Sequence, residues 1–197
     1  MHLWTACRMT LVLTFLLGIV YPVAMTVLAR VVFPSQAEGS LITRDGQIAG
    51  SELIGQNFTS PGYFNGRPSA AGDKGYDATS SSGSNLAPTN KSFIDTMKQR
   101  VKDVVGKNPG VTPAQVPVDL VTASGSGLDP EISPAAAELQ VPRVAKARGL
   151  SEDTVRSLVS ANSRPRWAGV LGEPGVNALE LNLALDEMGK GSSTASH

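Results

Sequence analysis

The sequence predicts an α+β protein: a single N-terminal transmembrane helix followed by a loop-rich mixed α/β extracytoplasmic domain. Three observations lead to this prediction. Residues 9–29 form an uninterrupted run of 21 residues without a charge. Helix-like and strand-like apolar patterns follow each other through the rest of the chain. The 20 Gly and 13 Pro residues favour many turns and loops, yet they are too few for a disordered low-complexity chain.

The uncharged run has the length of a membrane crossing. At ~1.5 Å per residue it forms a helix about 31 Å long, which matches a hydrocarbon core of ~30 Å. Arg8 and Arg30 close its two ends. A cleaved signal peptide has an apolar region of only ~7–15 residues, so the sequence favours an uncleaved span. Within it, Gly18 and Pro22 are the predicted packing positions, because small or kinked positions let a neighbouring backbone approach.

The charges on either side of the run favour one orientation in the bilayer. Positive-inside counting sets Arg8 and the N-terminus against Arg30, and residues from 34 onward carry 15 basic and 17 acidic side chains. We expect the N-terminus in the cytoplasm and the domain in the periplasm. The expected organisation is a short cytoplasmic segment at 1–8, a transmembrane helix at 9–33, an extracytoplasmic α+β domain at 34–189 and a disordered tail at 190–197.

Local signals predict the first elements of the domain. Asp45-Gly46 between two apolar runs predicts a hairpin over residues 41–49. Residues 60–90 have no apolar period, and a loop of that length is expected to be functional or a partner surface. We expect this segment to be ordered by packing on a partner. An amphipathic helix then follows Thr89 or Asn90 and ends at Gly106.

The second half of the domain is predicted to be mostly helical. Residues 116–123 resemble a buried strand. Ser133 and Pro134 fit the first positions of a helix, in which Pro142 predicts a break or a kink. A short helix is expected over 151–159. Residues 176–188 fit either an alternating strand or a helix, and we predict a helix.

The composition excludes several classes of chemistry. The 17 basic and 17 acidic side chains give no net charge, which argues against a nucleic-acid partner. The two His residues are His2 and His197, and the single cysteine is Cys7. A Ser-His-Asp triad, a metal cluster and a disulfide framework are therefore not expected. A phosphate-binding Gly-Lys loop is also absent from the sequence, so an independent enzyme is not favoured.

One glycine-rich loop, within residues 119–130, is a candidate binding element. Its central residues are Ser124, Gly125, Ser126, Gly127 and Leu128. Such a loop presents backbone N–H groups to an anion, or carbonyls and hydroxyls to a cation. It can equally be a connector that needs glycine for its backbone angles. Four later side chains are expected to be solvated: Gln140, Arg143, Lys146 and Arg148.

Ordered motifs extend over nearly the whole chain. They are Arg67-Pro68-Ser69-Ala70, residues 82–90, the loop at 119–130, Ile132-Ser133-Pro134-Ala135-Ala136-Ala137, Gln140-Val141-Pro142-Arg143-Val144-Ala145 and residues 177–186. Together with the single N-terminal span, they resemble the C subunit of the bacterial Kdp potassium-transporting ATPase. Only the residues after Met188 lie outside the resemblance.

The resemblance implies a non-catalytic accessory subunit of a high-affinity, ATP-driven potassium pump in the bacterial cytoplasmic (inner) membrane. Its implied partners are a channel-like potassium-binding subunit, a P-type ATP-hydrolysing subunit and a small single-helix subunit, besides the lipid bilayer. Potassium is the ion that the complex transports, and no tightly bound cofactor is implied. The family's subunit is described as a catalytic chaperone that raises the ATP affinity of the P-type subunit. The motif's proposed nucleotide contact falls on Gln140.

Two other hypotheses remain at this stage. The first is a membrane-anchored periplasmic binding module that captures an anion or small ligand through the 124–128 loop. The second is a membrane-anchored enzyme. The lack of a catalytic triad, a metal cluster and a phosphate-binding loop in the sequence disfavours it. The expected orientation also places Gln140 outside the cell, whereas ATP is cytoplasmic. We therefore expect an anchored partner role rather than direct contact with ATP.

Overall fold

The computed structural model describes residues 2–194, which divide into two units, Met1–Ser51 and Glu52–His197. The first unit begins with one continuous helix. It comprises α1 (His2–Phe15), a π-helical turn (Leu16–Val20) and α2 (Tyr21–Val32). This helix, His2–Val32, is long and apolar enough to cross a membrane. Its start at His2 makes most of the predicted 1–8 segment helical.

The π-helical turn lies directly before Pro22. The Tyr21 N–H donates to the Leu16 carbonyl, five residues back, instead of to the residue four back. Proline has no N–H to donate and its ring crowds the preceding turn, so a locally wider turn accommodates it. The Thr26 hydroxyl in turn donates to the Pro22 carbonyl over 2.8 Å. The proline is thus absorbed without ending the helix.

A short hairpin completes the first unit. After α3 (Pro34–Ala37), strands β1 (Leu41–Arg44) and β2 (Gln47–Ser51) pair in antiparallel fashion. Asp45 and Gly46 connect them with φ values of 50° and 78°. Two positive φ values are the geometry of a type I′ turn, whose twist matches that of the flanking strands. The predicted hairpin is confirmed.

The second unit places helices against a small antiparallel sheet. Its longer elements are α4 (Lys91–Lys107), β3 (Glu131–Ile132), α5 (Pro134–Arg148), α6 (Glu152–Ala161), β4 (Ser163–Arg164), β5 (Gly175–Asn177) and α7 (Ala178–Thr194). Strand β5 lies between β3 and β4. The core residues are Phe64, Leu120, Ile132, Ala136, Ala137, Val141, Val144, Ala145, Val155, Val159, Val176, Leu181 and Leu185. The mixed α+β prediction is confirmed for the described residues.

Helix α5 runs without interruption through Pro142, so of the predicted break or kink the break is wrong, and the kink stays a prediction. The Ser133 hydroxyl caps the helix by accepting from the Ala136 N–H over 3.0 Å. The Pro142 ring faces solvent, while Val141 and Val144 on either side are fully buried. Core packing of those neighbours outweighs the ~3 kcal/mol that an interior proline costs.

The predicted strand at 116–123 is also wrong. A 3-10 turn occupies Val118–Leu120, and the backbone continues as a turn at Val121. The Asp119 carboxylate accepts from the Ser133 N–H over 2.7 Å, which draws this segment towards the start of α5. Leu120 and Val121 are buried here without forming a strand, whereas Val118 is exposed, so the apolar pattern alone did not distinguish a strand from a turn.

The ambiguous 176–188 region forms two strand residues, Val176 and Asn177, followed by a helix. Val176 pairs within β5, and α7 begins at Ala178, so the predicted helix is confirmed. The helix continues through Thr194, where the sequence predicts a disordered tail from 190. Residues 195–197 of that tail lie outside the described residues.

Candidate functional site

Gln140, the candidate nucleotide residue, lies on the inner face of α5 and is 1% exposed. Its Nε2 donates to the carbonyls of Asn65 and Ala136, both over 3.1 Å. Its Oε1 accepts from the Asn65 N–H over 2.8 Å and from Arg143 over 2.6 Å. A primary amide has two N–H donors and two lone pairs, so these four bonds use all of its capacity. The expectation of a solvated Gln140 is wrong.

A second side-chain amide, that of Asn182 on α7, hydrogen-bonds the backbone of Phe64, the residue next to Asn65. Asn182 Oδ1 accepts from the Phe64 N–H over 2.8 Å, and Asn182 Nδ2 donates to the Phe64 carbonyl over 3.0 Å. Gln140 and Asn182 thus bind two successive residues much as a neighbouring strand would. We call residues 61–65 the strap. The strap is pinned to both helices, and the Phe64 side chain is fully buried between them.

Two arginines on α5 bind the rest of the strap. Arg143 donates to the carbonyls of Pro61 over 2.6 Å and Tyr63 over 3.0 Å, and to Asn108 over 3.0 Å. Burial lowers the pKa of Arg143 from its usual value, yet a guanidinium stays protonated in proteins. The cation therefore acts as a fixed donor that ties three segments together. The prediction of a solvated side chain is wrong for Arg143.

Arg148 makes a similar contact with the same part of the strap, at Gly62. Its Nε donates to the Gly62 carbonyl over 2.6 Å, and it pairs with Asp186 of α7 over 2.8 Å. Its guanidinium carbon lies 4.6 Å from the centre of the Tyr63 ring, which is a cation–π geometry. The prediction of a solvated side chain is therefore wrong for Arg148 as well. Lys146, between these two arginines, is exposed as expected.

These contacts change the expectation for residues 60–90. The segment was expected to be ordered by a partner because it lacks an apolar period. Phe64 and Ala71 are nevertheless fully buried within the chain itself. The signal that could have revealed this is the aromatic pair Tyr63-Phe64 in a largely polar stretch, since a buried ring contributes a large apolar surface that can anchor a long loop. Its position in the core depends on α5 and α7, which lie far away in sequence.

The 124–128 loop faces the 69–83 segment. Ser69 donates to the Gly127 carbonyl over 2.5 Å, and Ser81 donates to the Ser126 carbonyl over 2.9 Å. The Leu128 carbonyl accepts from the Gly55 N–H over 2.9 Å. Three successive carbonyls are therefore bound by the chain's own donors. This arrangement favours the connector interpretation over capture of a ligand by the loop.

Only one of the two glycines in this loop has a visible structural requirement. Gly127 has a φ of 69°, and a Cβ there would lie 2.5 Å from the Ser82 carbonyl oxygen and 2.8 Å from the Ala71 nitrogen. At Gly125 a Cβ would meet nothing within 4 Å. The expectation that both positions need glycine therefore holds for Gly127 and is wrong for Gly125.

A polar cleft of about 280 Å³ lies on the solvent side of Gln140. Its cationic lining residues are Arg67, Arg100 and Lys107, and Tyr76 lines the same cleft. The Arg67 Nε is buried without a hydrogen-bond partner, while its guanidinium pairs with Asp129 over 2.9 Å. The cleft is thus lined by several hydrogen-bond donors and by one carboxylate, that of Asp103. Within the described chain, the 124–128 loop does not line it.

Tyr76 is a structural member of this cleft. Its hydroxyl donates to the Arg67 carbonyl over 2.6 Å. Burial raises the pKa of Tyr76 to about 12; nearby Asp129 also raises it, and Arg67 lowers it. The phenol therefore remains protonated at physiological pH and serves as a donor.

Gly18 and Pro22 lie in the membrane-length helix of the first unit. Gly18 falls within the π-helical turn, and Pro22 is the second residue of α2. A Cβ on Gly18 would meet only the Thr14 methyl group, 4.0 Å away. The surface beside Gly18 is open in this chain. Its packing role remains a prediction.

Comparisons with known proteins agree with the motifs. The family model described as KdpC, K+-transporting ATPase, c chain, matches residues 3–187. The chain is 59% identical over 192 residues to the Potassium-transporting ATPase KdpC subunit of Rhodopseudomonas palustris (strain BisB18), covering 92% of this chain and 95% of that protein. It is 56% identical over 187 residues to the protein of that name from Gemmatimonas aurantiaca, covering 95% and 93%. The chain therefore belongs to the KdpC family.

Proposed function

We propose that this chain is a non-catalytic, membrane-anchored accessory subunit of an ATP-driven potassium uptake pump, and that it anchors and stabilises the complex. Family membership over residues 3–187 supports a place in a K+-transporting ATPase. The observation that carries the structural role is the complete hydrogen bonding of Gln140. Gln140 is the most distinctive polar residue of its motif, and its bonds stabilise the fold. In this proposal the partners bind the outer surfaces of the domain instead.

The partners in this proposal are those of such a pump. They are a channel-like potassium-binding subunit, a P-type ATP-hydrolysing subunit and a small single-helix subunit. The helix His2–Val32 is long and apolar enough to join them in the bilayer. In this proposal that bilayer is the bacterial inner membrane, with the N-terminus in the cytoplasm and the domain in the periplasm. Potassium is then the cargo of the complex rather than a ligand of this subunit.

The chaperone effect on ATP affinity, implied by the family resemblance, acts in our proposal through assembly rather than through Gln140 contacting ATP. Binding the nucleotide's phosphates needs several free donors or cations. Gln140 has no free donor, and the neighbouring Arg143 already donates to Pro61, Tyr63, Asn108 and Gln140. Contact with a phosphate would require the strap to be released. A buried amide left unsatisfied in that way costs ~1–3 kcal/mol.

The test compares Gln140→Ala with Asn182→Ala in the assembled pump. Both variants remove a side chain that grips a strap peptide group, but only Gln140 belongs to the proposed nucleotide contact. We expect each to destabilise the subunit by about 3 kcal/mol, since buried backbone groups lose their partners. At matched amounts of complex, we expect both to leave unchanged the ATP concentration for half-maximal hydrolysis.

One result in particular would contradict the assembly interpretation. A large rise in that ATP concentration for Gln140→Ala, without one for Asn182→Ala, would establish a direct nucleotide role and overturn the assembly interpretation. Equal rises in both variants, at matched amounts of complex, would also contradict the proposal, because they would show that the integrity of the domain sets the ATP affinity after assembly.

A further inference from the structure

Helix α4 (Lys91–Lys107) is amphipathic and 17 residues long, yet none of its residues is buried. Val104 packs partly against the core, and Arg100 donates to the Val121 carbonyl over 2.9 Å. These contacts hold only one side of the helix. Most helical stability in proteins comes from packing an amphipathic face, so α4 leaves much of that contribution unused in the isolated chain.

The uncovered part of α4 forms an apolar groove of about 460 Å³. We call it the α4 groove, and its lining residues are Phe93, Ile94, Met97, Lys98, Val101, Lys102 and Pro113. Pro113, from the 3-10 turn Pro113–Gln115, forms one side. Ile94 is 38% exposed, and Phe93, Met97 and Val101 are half-buried.

The shape of the groove fits a protein segment better than a lipid surface. A bilayer is entered by apolar side chains that protrude, as Trp167 does at 74% exposure on the 163–175 hairpin. In the α4 groove Phe93, Met97 and Val101 are half-buried, and only Ile94 among the apolar residues of the helix is exposed. A recess receives a ridge of side chains from another protein, in the manner of a helix bound in a groove.

The charges beside the groove define the chemistry of that ridge. Lys98 and Lys102 are four residues apart, so they lie on neighbouring positions of one helical face. Neither forms an ion pair with any other described residue of the chain, and both are exposed. A partner with apolar side chains flanked by carboxylates would therefore fill the groove and pair with the two ammonium groups.

We propose that the α4 groove is a docking surface for an apolar, acid-flanked segment of another subunit of the same pump. This inference rests on the proposed function, because it takes its partner from the complex. Standard protein interfaces bury ~800 Å² on each side, so the groove supplies the anchoring centre of a wider contact.

The experiment measures maleimide labelling in the full chain after Cys7→Ser removes its one cysteine. Ile94→Cys reports on the groove. Thr96→Cys, two residues away and exposed on the other side of the same helix, is the matched control. Both are labelled in the isolated subunit in lipid vesicles and in the assembled pump. We expect assembly to slow labelling at position 94 by about tenfold or more, because interface centres exclude water, and to leave position 96 unchanged.

The charge requirement is measured with a second pair of variants. Lys98→Glu with Lys102→Glu should lower the yield of assembled complex about tenfold, since like charges would face each other across the contact. Lys98→Arg with Lys102→Arg keeps the charge and should assemble normally. Equal yields for both pairs would contradict the proposed acidic partner.

The remaining outcomes separate this surface from the function on which it rests. Equal labelling of Ile94→Cys in the free and assembled subunit would overturn the docking surface while leaving the accessory role intact. Protection already in the vesicle-bound isolated subunit would assign the groove to the bilayer or to a second copy, and would also overturn it. Failure of the unsubstituted chain to join any pump complex would remove the proposed function and this inference together.

Discussion

Two amide side chains on separate helices, Gln140 and Asn182, bind consecutive peptide groups of the strap. Each amide offers both a donor and an acceptor, which is what a backbone peptide requires. An amide is the side chain that can replace a neighbouring strand at a single residue. Gln140 and Asn182 therefore provide sheet-like pairing in a region where the described chain forms no sheet.

Gly127 and Gly125 provide a matched pair of substitutions at the residue scale. Gly127→Ala should lower the free energy of unfolding by at least ~2 kcal/mol, because a Cβ is strained at positive φ and would meet the Ser82 carbonyl. Gly125→Ala should change it by less than ~0.5 kcal/mol, as expected where open space surrounds the new methyl group. Urea unfolding of the two purified variants decides this. A similar loss for both would contradict the steric account.

Tyr76 makes a pH-dependent contribution that can be measured. Its folded pKa of about 12 lies above the usual tyrosine value of 10.0, so the unfolded chain releases this proton first. The associated stability is present below pH 10 and is lost as the pH rises towards 12. Ultraviolet titration of the three tyrosines should show one late phenolate that disappears in Tyr76→Phe. A late step that persists in the variant would assign it to another tyrosine.

At the scale of elements, the membrane-length helix has one position that invites a test. Gly18→Leu adds a branched side chain where the surface is open, so the isolated helix should tolerate it and still insert. We expect it to reduce recovery of the assembled pump, because a bulky residue keeps a neighbouring backbone away. Affinity purification after membrane extraction measures this, with Gly18→Ala as the conservative control. Normal recovery with Gly18→Leu would show that Gly18 is not a packing position.

The elements that the sequence predicts are those determined by neighbours in the chain. The hairpin follows from Asp45-Gly46, and α4 and α5 follow from their caps at Asn90 and Ser133. The wrong predictions involve distant partners. Val118–Leu120 is a turn with no strand of residues 2–194 paired beside it, and Pro142 is tolerated because α5 is held by the core. The strap was missed because its two amides come from helices more than 70 residues away.

At the scale of the whole molecule, the orientation of the chain in the bilayer can be measured with its own cysteine, Cys7. Cys7 lies exposed near the start of α1. A membrane-impermeant maleimide should leave Cys7 unlabelled in cells whose outer membrane alone is opened. It should label Cys7 after the inner membrane is broken. Thr96→Cys with Cys7→Ser should show the reverse, with labelling before the inner membrane is broken. The opposite pattern would place the domain in the cytoplasm and reopen direct contact with ATP.

The π-helical turn has a consequence for any helix that packs along the span. Five residues, Leu16–Val20, are wound more loosely than in an α-helix. Over this turn the chain rotates about the helix axis by about 100° less than an α-helix of the same length would, which is roughly the rotation of one residue. A stripe of side chains that faces a neighbour along α1 therefore turns away from it along α2. One neighbouring helix could therefore pack along α1 and a different one along α2. The two would contact different sides of this chain and would not compete.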